Sequence, residues 1–276
     1  MNFRKSRCAV IATVVCAVSG IFSVGMLGCG GGNGGNTVSN VRVFDGLINA
    51  SANSGINVAL RTIGTAPVNS SPTTFGNVSA NAKVVSGDGV NTIAYVVNAN
   101  SPQTLVTNPF DYKPNNNALT TDGYLLILTG VVGQIDTTLA PQMLRIPTSV
   151  PTTLIRGSSG NALNFAAVRV VHAASGSPTP ISIYNDTSGS ALIGGLDNVA
   201  YGQASAGGSG GKGYVIVPTG NPYTLSVRDT MGNSLLSVSN VNFQPGFAYT
   251  LIAYGSSNAT FNSPLKLALV QDYPLQ

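Results

Sequence analysis

The sequence predicts an all-β protein: two tandem immunoglobulin-like or prealbumin-like β-sandwich domains set behind an export leader and a Gly-rich tether. Three observations predict it. Short segments alternate apolar and polar residues with the period of two that a half-buried strand requires. Clusters of Gly, Pro, Asn and Ser separate these segments, in a chain of 276 residues with 33 Gly and 15 Pro. The segments also recur in the same order in the two halves of the chain, the signature of a repeated unit.

The N-terminus carries Arg4, Lys5 and Arg7, followed by the uncharged apolar run from Cys8 to Leu27. A charged n-region before an apolar core is the layout of an export signal, expected here over residues 1–28. The run is long for a signal peptide, so an uncleaved membrane helix is the alternative. Met26-Leu27-Gly28-Cys29 resembles the lipobox of bacterial lipoproteins, which implies cleavage between Gly28 and Cys29 and lipidation of Cys29. The thiolate is the nucleophile that takes the lipid, so Ser cannot replace Cys at this position. Three acyl chains on Cys29 would give stable anchoring where a single chain is marginal. Cys8 and Cys16 leave with the leader, so no disulfide is expected. Residues 29–39 then form a flexible tether, with Gly30-Gly31-Gly32-Asn33-Gly34-Gly35-Asn36 at its centre. Gly30 after the lipid-bearing Cys resembles an outer-membrane address if the cell is Gram-negative.

Past the tether, strands are expected at Val41–Asp45, Ile56–Leu60, Thr92–Val97, Tyr124–Thr129 and Gln142–Ile146. A second set is expected at Val168–Ala173, Ile181–Tyr184, Tyr214–Val217, Tyr223–Arg228, Tyr249–Tyr254 and Leu265–Leu269. No segment has the 3.6-residue periodicity of an amphipathic helix. Val41-Arg42-Val43 recurs as Val168-Arg169-Val170, Gly76-Asn77-Val78 as Asp197-Asn198-Val199, and Gly123–Gly130 as Ala248–Gly255, at offsets of about 121–127 residues. The expectation is a first module at 40–147, a linker at 148–163 and a second module at 164–276. Each module is large enough for a core of its own.

In the second module, Ala167-Val168-Arg169-Val170-Val171-His172-Ala173, Ile181-Ser182-Ile183-Tyr184 and Tyr201-Gly202-Gln203-Ala204-Ser205 carry a family resemblance. So do Tyr223–Arg228 and Pro245–Gly255. Together they resemble the bacterial domain family of unknown function numbered 4397. The resemblance implies an all-β, exported domain that is often tandem and often lipid-anchored, and it implies no activity. Ala174–Pro180 lacks the Asp that such members often carry after His-Ala, so an acidic site is not implied there.

Composition narrows the chemistry. Only 8% of the residues are charged, all nine acidic residues are Asp, and the only His is His172. The formal charge of +4 falls to near neutrality once Arg4, Lys5 and Arg7 leave, which removes the basic surface that a nucleic-acid partner needs. His172 lies on the strand face of Val168 and Val170 and reads as a structural residue. Ser209 with Lys212, or His172 as a base, gives a remote serine-hydrolase reading, but flanking glycines oppose the helix that a Ser-x-x-Lys pair requires. One His and no mature thiol exclude structural zinc. Asp186, Asp197 or Asp229 could hold a weak calcium, and no other cofactor is expected. Tyr184 and Tyr201 are the aromatic candidates for ligand stacking, and the loop residues Asp186 and Asp229 are further weak ligand-binding candidates. The reading is a non-catalytic envelope lipoprotein, structural, adhesive or ligand-presenting. The alternative is a glycan- or peptide-binding module using sandwich-end loops. The expected partners are the membrane, through the lipid, and an envelope protein or a glycan.

Overall fold

The computed structural model describes residues 37–274 apart from 49–55, 63–67, 70–72, 87–90, 99–100, 112–122, 135–138, 149, 151, 188 and 209–212. The leader, the lipobox and most of the tether lie outside these residues. So do Ser209 and Lys212. Among the described residues, no helix is long and apolar enough to cross a membrane.

The first eight strands are β1 (Thr37–Asp45), β2 (Ile56–Thr62), β3 (Val68–Asn69), β4 (Ala82–Ser86), β5 (Asn91–Asn98), β6 (Ser101–Asp111), β7 (Gly123–Thr129) and β8 (Gln142–Pro147). A one-turn helix α1 (Thr152–Ile155) follows. The second eight are β9 (Phe165–Ala174), β10 (Ser182–Asn185), β11 (Ala191–Leu192), β12 (Val215–Pro218), β13 (Tyr223–Arg228), β14 (Ser234–Val241), β15 (Ala248–Gly255) and β16 (Lys266–Tyr273). They form four four-stranded sheets, ordered β4-β1-β7-β8 and β3-β2-β5-β6 in the first set, and β12-β9-β15-β16 and β11-β10-β13-β14 in the second. Adding eight to each strand number of the first set reproduces the second. Each set also has the same single parallel pairing, β1 with β7 and β9 with β15, inside otherwise antiparallel sheets. The fold is all-β, in sandwich-type sheets.

Hydrogen bonds refine the repeat. Asp45 N donates to Asn77 O while Gly76 N donates to Asp45 O, and His172 N donates to Gln203 O while Gly202 N donates to His172 O. Val43 N donates to the Ser79 hydroxyl at 2.9 Å, and Val170 N to the Ser205 hydroxyl at 3.1 Å. Phe75–Ser79 therefore corresponds to Tyr201–Ser205. The sequence match of Gly76-Asn77-Val78 to Asp197-Asn198-Val199 was out of register; the chain-to-chain bridges, rather than the shared Asn-Val letters, fix the equivalence.

The sheets β4-β1-β7-β8 and β12-β9-β15-β16 face each other. Phe44, Leu125, Ile127, Leu144 and Ile146 of the first pack with Val171, Ala173, Ile252, Tyr254 and Val270 of the second in one buried cluster. The other face of the second sheet, with Val168, Val170 and Leu251, packs on Ile183, Leu225 and Val227 of its sandwich partner. Strands β9 and β15 are thus buried on both sides, which explains their near-continuous apolar sequences. The core is not confined to each repeat, and residues Gly34–Gln276 make one compact unit. At roughly 1.5–3 kcal/mol per buried large aliphatic side chain, the shared cluster is a major part of the stability.

Several strands were not legible as such. β6 contains Pro102 and Pro109, which argue against a strand, but β6 is an edge strand and needs no ladder donor on its outer side. β14 reads Ser-Leu-Leu-Ser-Val-Ser-Asn-Val and is half exposed. The expected linker 148–163 contains α1, whose Ile155 is fully buried against Ala167, Tyr214 and Ala248.

Gly76 and Gly202 are equivalent and both have left-handed backbones, with φ of 83° and 79°. A Cβ at Gly76 would lie 2.5 Å from the Tyr254 hydroxyl, whereas at Gly202 the nearest atom is Leu144 Cδ2 at an ordinary 3.7 Å. Gly202→Ala should cost only the backbone term, about 1–2 kcal/mol. Gly76→Ala should cost more, because it also displaces Tyr254 from the shared core. Urea titration of both variants checks the ordering.

Candidate functional site

The polar centre of the chain lies between the two facing sheets. Arg42 on β1 and Arg169 on β9 occupy equivalent positions, both on the face turned toward the other repeat. Arg42 Nη1 donates to the backbone carbonyl of Gln271 at 2.5 Å, and Arg169 Nη1 to that of Pro147 at 2.6 Å. Gln271 pairs with Tyr249 on β15 and Pro147 pairs with the equivalent Tyr124 on β7. Each repeat therefore sends one guanidinium to the same carbonyl of the other, a pseudo-two-fold contact built within one chain.

Asp272 breaks the symmetry. On β16 the register shifts so that Gln271 faces Tyr249 and Tyr273 faces Ala248, leaving Asp272 as the extra residue of a β-bulge. No such shift occurs between β7 and β8. Asp272 lies on the β16 face of Ala268 and Val270, which turns its carboxylate into the interface, where its side chain is fully buried. Arg42 Nη2 reaches one oxygen at 3.0 Å and Arg169 Nη2 the other at 3.3 Å. The second oxygen also accepts from the Tyr214 hydroxyl at 2.7 Å and from the Thr250 hydroxyl. Arg169 Nε donates to Thr250, and its guanidinium lies 4.6 Å from the Tyr214 ring centre. Burial lowers the pKa of Arg42, and the Asp272 charge opposes that shift. Burial likewise raises the Tyr214 phenol well above its ordinary value.

A second polar group closes the other end of the interface. The Thr129 hydroxyl donates to Ala173 O, and it lies 3.2 Å from the Ser175 hydroxyl and 3.1 Å from that of Tyr201. Gly130 N donates to Ser175. The Tyr201 position is matched in the first repeat by Phe75, which packs on Tyr254, the counterpart of Thr129.

Asp45 and His172, also equivalent, are both buried. Asp45 Oδ1 accepts from Leu47 N, and His172 Nδ1 accepts from Ala174 N, the same two-residue turn made with different chemistry. The Ala174 N–H fixes the neutral tautomer of His172, whose Nε2 then donates to Pro178 O at 3.2 Å. Burial pushes His172 down to about 4 and Asp45 up to about 7.

The other sequence candidates are placed as follows. The Arg228 guanidinium lies over the Tyr184 ring at 4.7 Å and bonds Asp186 at 3.0 Å, so it brings these two residues together while covering the ring. The Ser190 hydroxyl first, then the Ser226 hydroxyl and the Arg228 guanidinium, hold Asp186 below the usual carboxylate range. Asp229 sits in the β13–β14 turn and accepts from Asn233 and from Met231 N. Asp197 accepts from Gly195 N and from the Asn198 side chain. Tyr201 is at the interface, away from the Tyr184 group. Among the described residues, no three His, Cys, Asp or Glu side chains are grouped to hold a metal ion.

Sequence reasoning missed the Arg42–Asp272–Arg169 group. The available signal was an Arg in the middle of an almost wholly apolar strand, twice, at equivalent positions. Beside Arg42 a cleft of about 400 Å³ opens along the edge strand β16. Val78 lines it from the first repeat, and Asn242, Gln244, Tyr249 and Leu269 from the second.

No family model matches the chain, and no curated protein matches it. Among solved structures, the chain is similar to a fimbrial assembly protein from Parabacteroides distasonis at 13% identity, over 87% of this chain and 97% of that one, with a TM-score of 0.21. It is similar to a protein assigned to cell adhesion from Bacteroides ovatus at 11% identity, over 85% and 96%, also with a TM-score of 0.21. At that score the likeness bears on neither fold nor function.

Removing the Asp272 charge leaves two guanidiniums buried together. Asp272→Asn should destabilise the chain by on the order of 3–5 kcal/mol, read by urea unfolding. Asp45 titrates with the opposite sign to His172. Folding raises the Asp45 pKa, so this residue's contribution to stability falls as pH rises from about 4 to 7. Folding lowers the His172 pKa, so its contribution rises between about 4 and 6.5. Asp45→Asn should gain on the wild type progressively from pH 4 to 8, by up to about 4 kcal/mol, and should expose the rising His172 slope. Chemical denaturation across that pH range reads both effects.

Proposed function

We propose that the chain is a non-catalytic cell-envelope lipoprotein: Cys29 carries the lipid, residues 29–39 form the tether, and the fused double sandwich is the body presented beyond the membrane. The observation that carries the reading is the use made of the polar groups. His172, Asp45, Asp272, Asp186, Asp197 and Asp229 are each spent on turns, on ion pairs or on joining the repeats. A body built this way suits a structural, adhesive or ligand-presenting role, in which a fixed shape matters more than a reactive group. The lipobox-like Met26-Leu27-Gly28-Cys29 supports the envelope location, and the outer membrane is its address in a Gram-negative cell. The tandem repeat supports kinship with the family numbered 4397. A glycan or an envelope protein is the proposed partner.

In the source organism or an export-competent bacterial host, Cys29→Ser should abolish acylation and lipoprotein-type cleavage. The variant should then remain as the larger precursor, without the mass of the lipid. If mass spectrometry shows the same mature mass and fractionation the same membrane attachment as for the wild type, the lipoprotein reading falls.

A further inference from the structure

The buried ion group between the repeats is unbalanced. Among the described residues, two guanidiniums, Arg42 and Arg169, share the one carboxylate of Asp272, which leaves a single positive charge over. A buried excess charge attracts a counter-charge, and here the route to it is one-sided. The Arg169 side chain is 2% exposed, whereas that of Arg42 is 9% exposed and lines the cleft over β16. Among the described residues, Arg42 gives N–H groups to Asp272 and to Gln271 O, two of the five it carries. The lowered pKa of Arg42 agrees with a cation that its partner compensates only in part.

The rest of the cleft narrows the ligand. Among the described residues, no acidic side chain lines it. Val78 and Leu269, 38% and 40% exposed, supply apolar surface on either side of the β16 edge. Asn242, whose Nδ2 also donates to Asn240 O at 3.2 Å, and Gln244 bring amides of the kind that sugar hydroxyls pair with. The volume of about 400 Å³ lies at the small-ligand end of the usual range for binding pockets. The site also lies between two repeats, a common place for such pockets.

We infer that this cleft binds a uronic acid residue, with its carboxylate at Arg42, its hydroxyls on Asn242 and Gln244, and its ring against Val78 and Leu269. One negative charge matches the one positive charge left over. This deepens the ligand-presenting reading above without depending on the lipid. Loss of acylation would leave the cleft intact, and a cleft that binds nothing would leave Cys29 acylation untouched.

The test is calorimetric titration of the full chain in detergent with glucuronate, glucose and N-acetylglycine. Saturable binding of glucuronate, about tenfold tighter than that of glucose and weakened by salt, is expected. Because Arg42 also holds the fold, the variant to use is Val78→Glu, which places a carboxylate in the cleft. It should weaken glucuronate binding by about tenfold relative to the near-isosteric Val78→Gln, which controls for the altered ring contact, with no loss of thermal stability in either variant. Equal binding of glucose and glucuronate, no binding of either, or an unchanged affinity in Val78→Glu would overturn the assignment. Binding of N-acetylglycine alone would overturn the sugar in favour of a peptide carboxylate.

Discussion

The two repeats are joined by a carboxylate that neither repeat could bury alone. Asp272 is held by a guanidinium from each repeat and by the hydroxyls of Tyr214 and Thr250, all inside the face-to-face contact of the central sheets. Taking these charges out of water costs several kcal/mol per ion, and their attraction returns about as much. The net free energy of the contact therefore comes from the apolar rows around them, Phe44, Leu125 and Ile127 against Val171, Ile252 and Tyr254. What the ion group adds is register. A slide of one sheet over the other leaves a charge buried without a partner, a far larger penalty than a repacked Leu or Val.

The contact has the form of an isologous dimer interface drawn into a single chain. Arg42 reaches Gln271 O, and Arg169 reaches the equivalent Pro147 O; Phe75 packs on Tyr254 where Tyr201 bonds Thr129. Positions that need only one partner have diverged between the repeats. At Asp45 and His172 the same backbone N–H is capped by a carboxylate in one repeat and an imidazole in the other. The bulge that carries Asp272 occurs once, because one carboxylate serves both guanidiniums.

Much of this was legible in the sequence. Val41-Arg42-Val43 and Val168-Arg169-Val170 marked equivalent strands, and period-two alternation placed their valines on one face. The all-β class followed from those patterns and from the Gly and Pro clusters. The outward-facing arginines were harder to interpret, because an Arg on the far face of a strand reads as solvated until a second sheet is known to cover it. Asp272 was illegible for a related reason: alternation sets it on the face of Ala268 and Val270, but nothing in the sequence shows that a guanidinium from each repeat meets a carboxylate there. Tyr184 and Asp186 were separate candidates; Arg228 from another strand pairs with Asp186 and covers the Tyr184 ring, and sequence spacing carries no information about such a neighbour. The alignment of Gly76 went astray for want of the backbone bonds to Asp45 and His172 that define the repeat.

Among the described residues, the buried charges gather where the repeats meet, and Asp186, Asp197 and Asp229 are held in turns of the second repeat. That arrangement makes the joined double sandwich, rather than either repeat, the working unit. Scanning calorimetry of the folded body tests this most directly. The account predicts a single transition whose calorimetric and van't Hoff enthalpies agree, because the shared core and the Asp272 group unfold together. Two resolved transitions, one for each repeat, would contradict it.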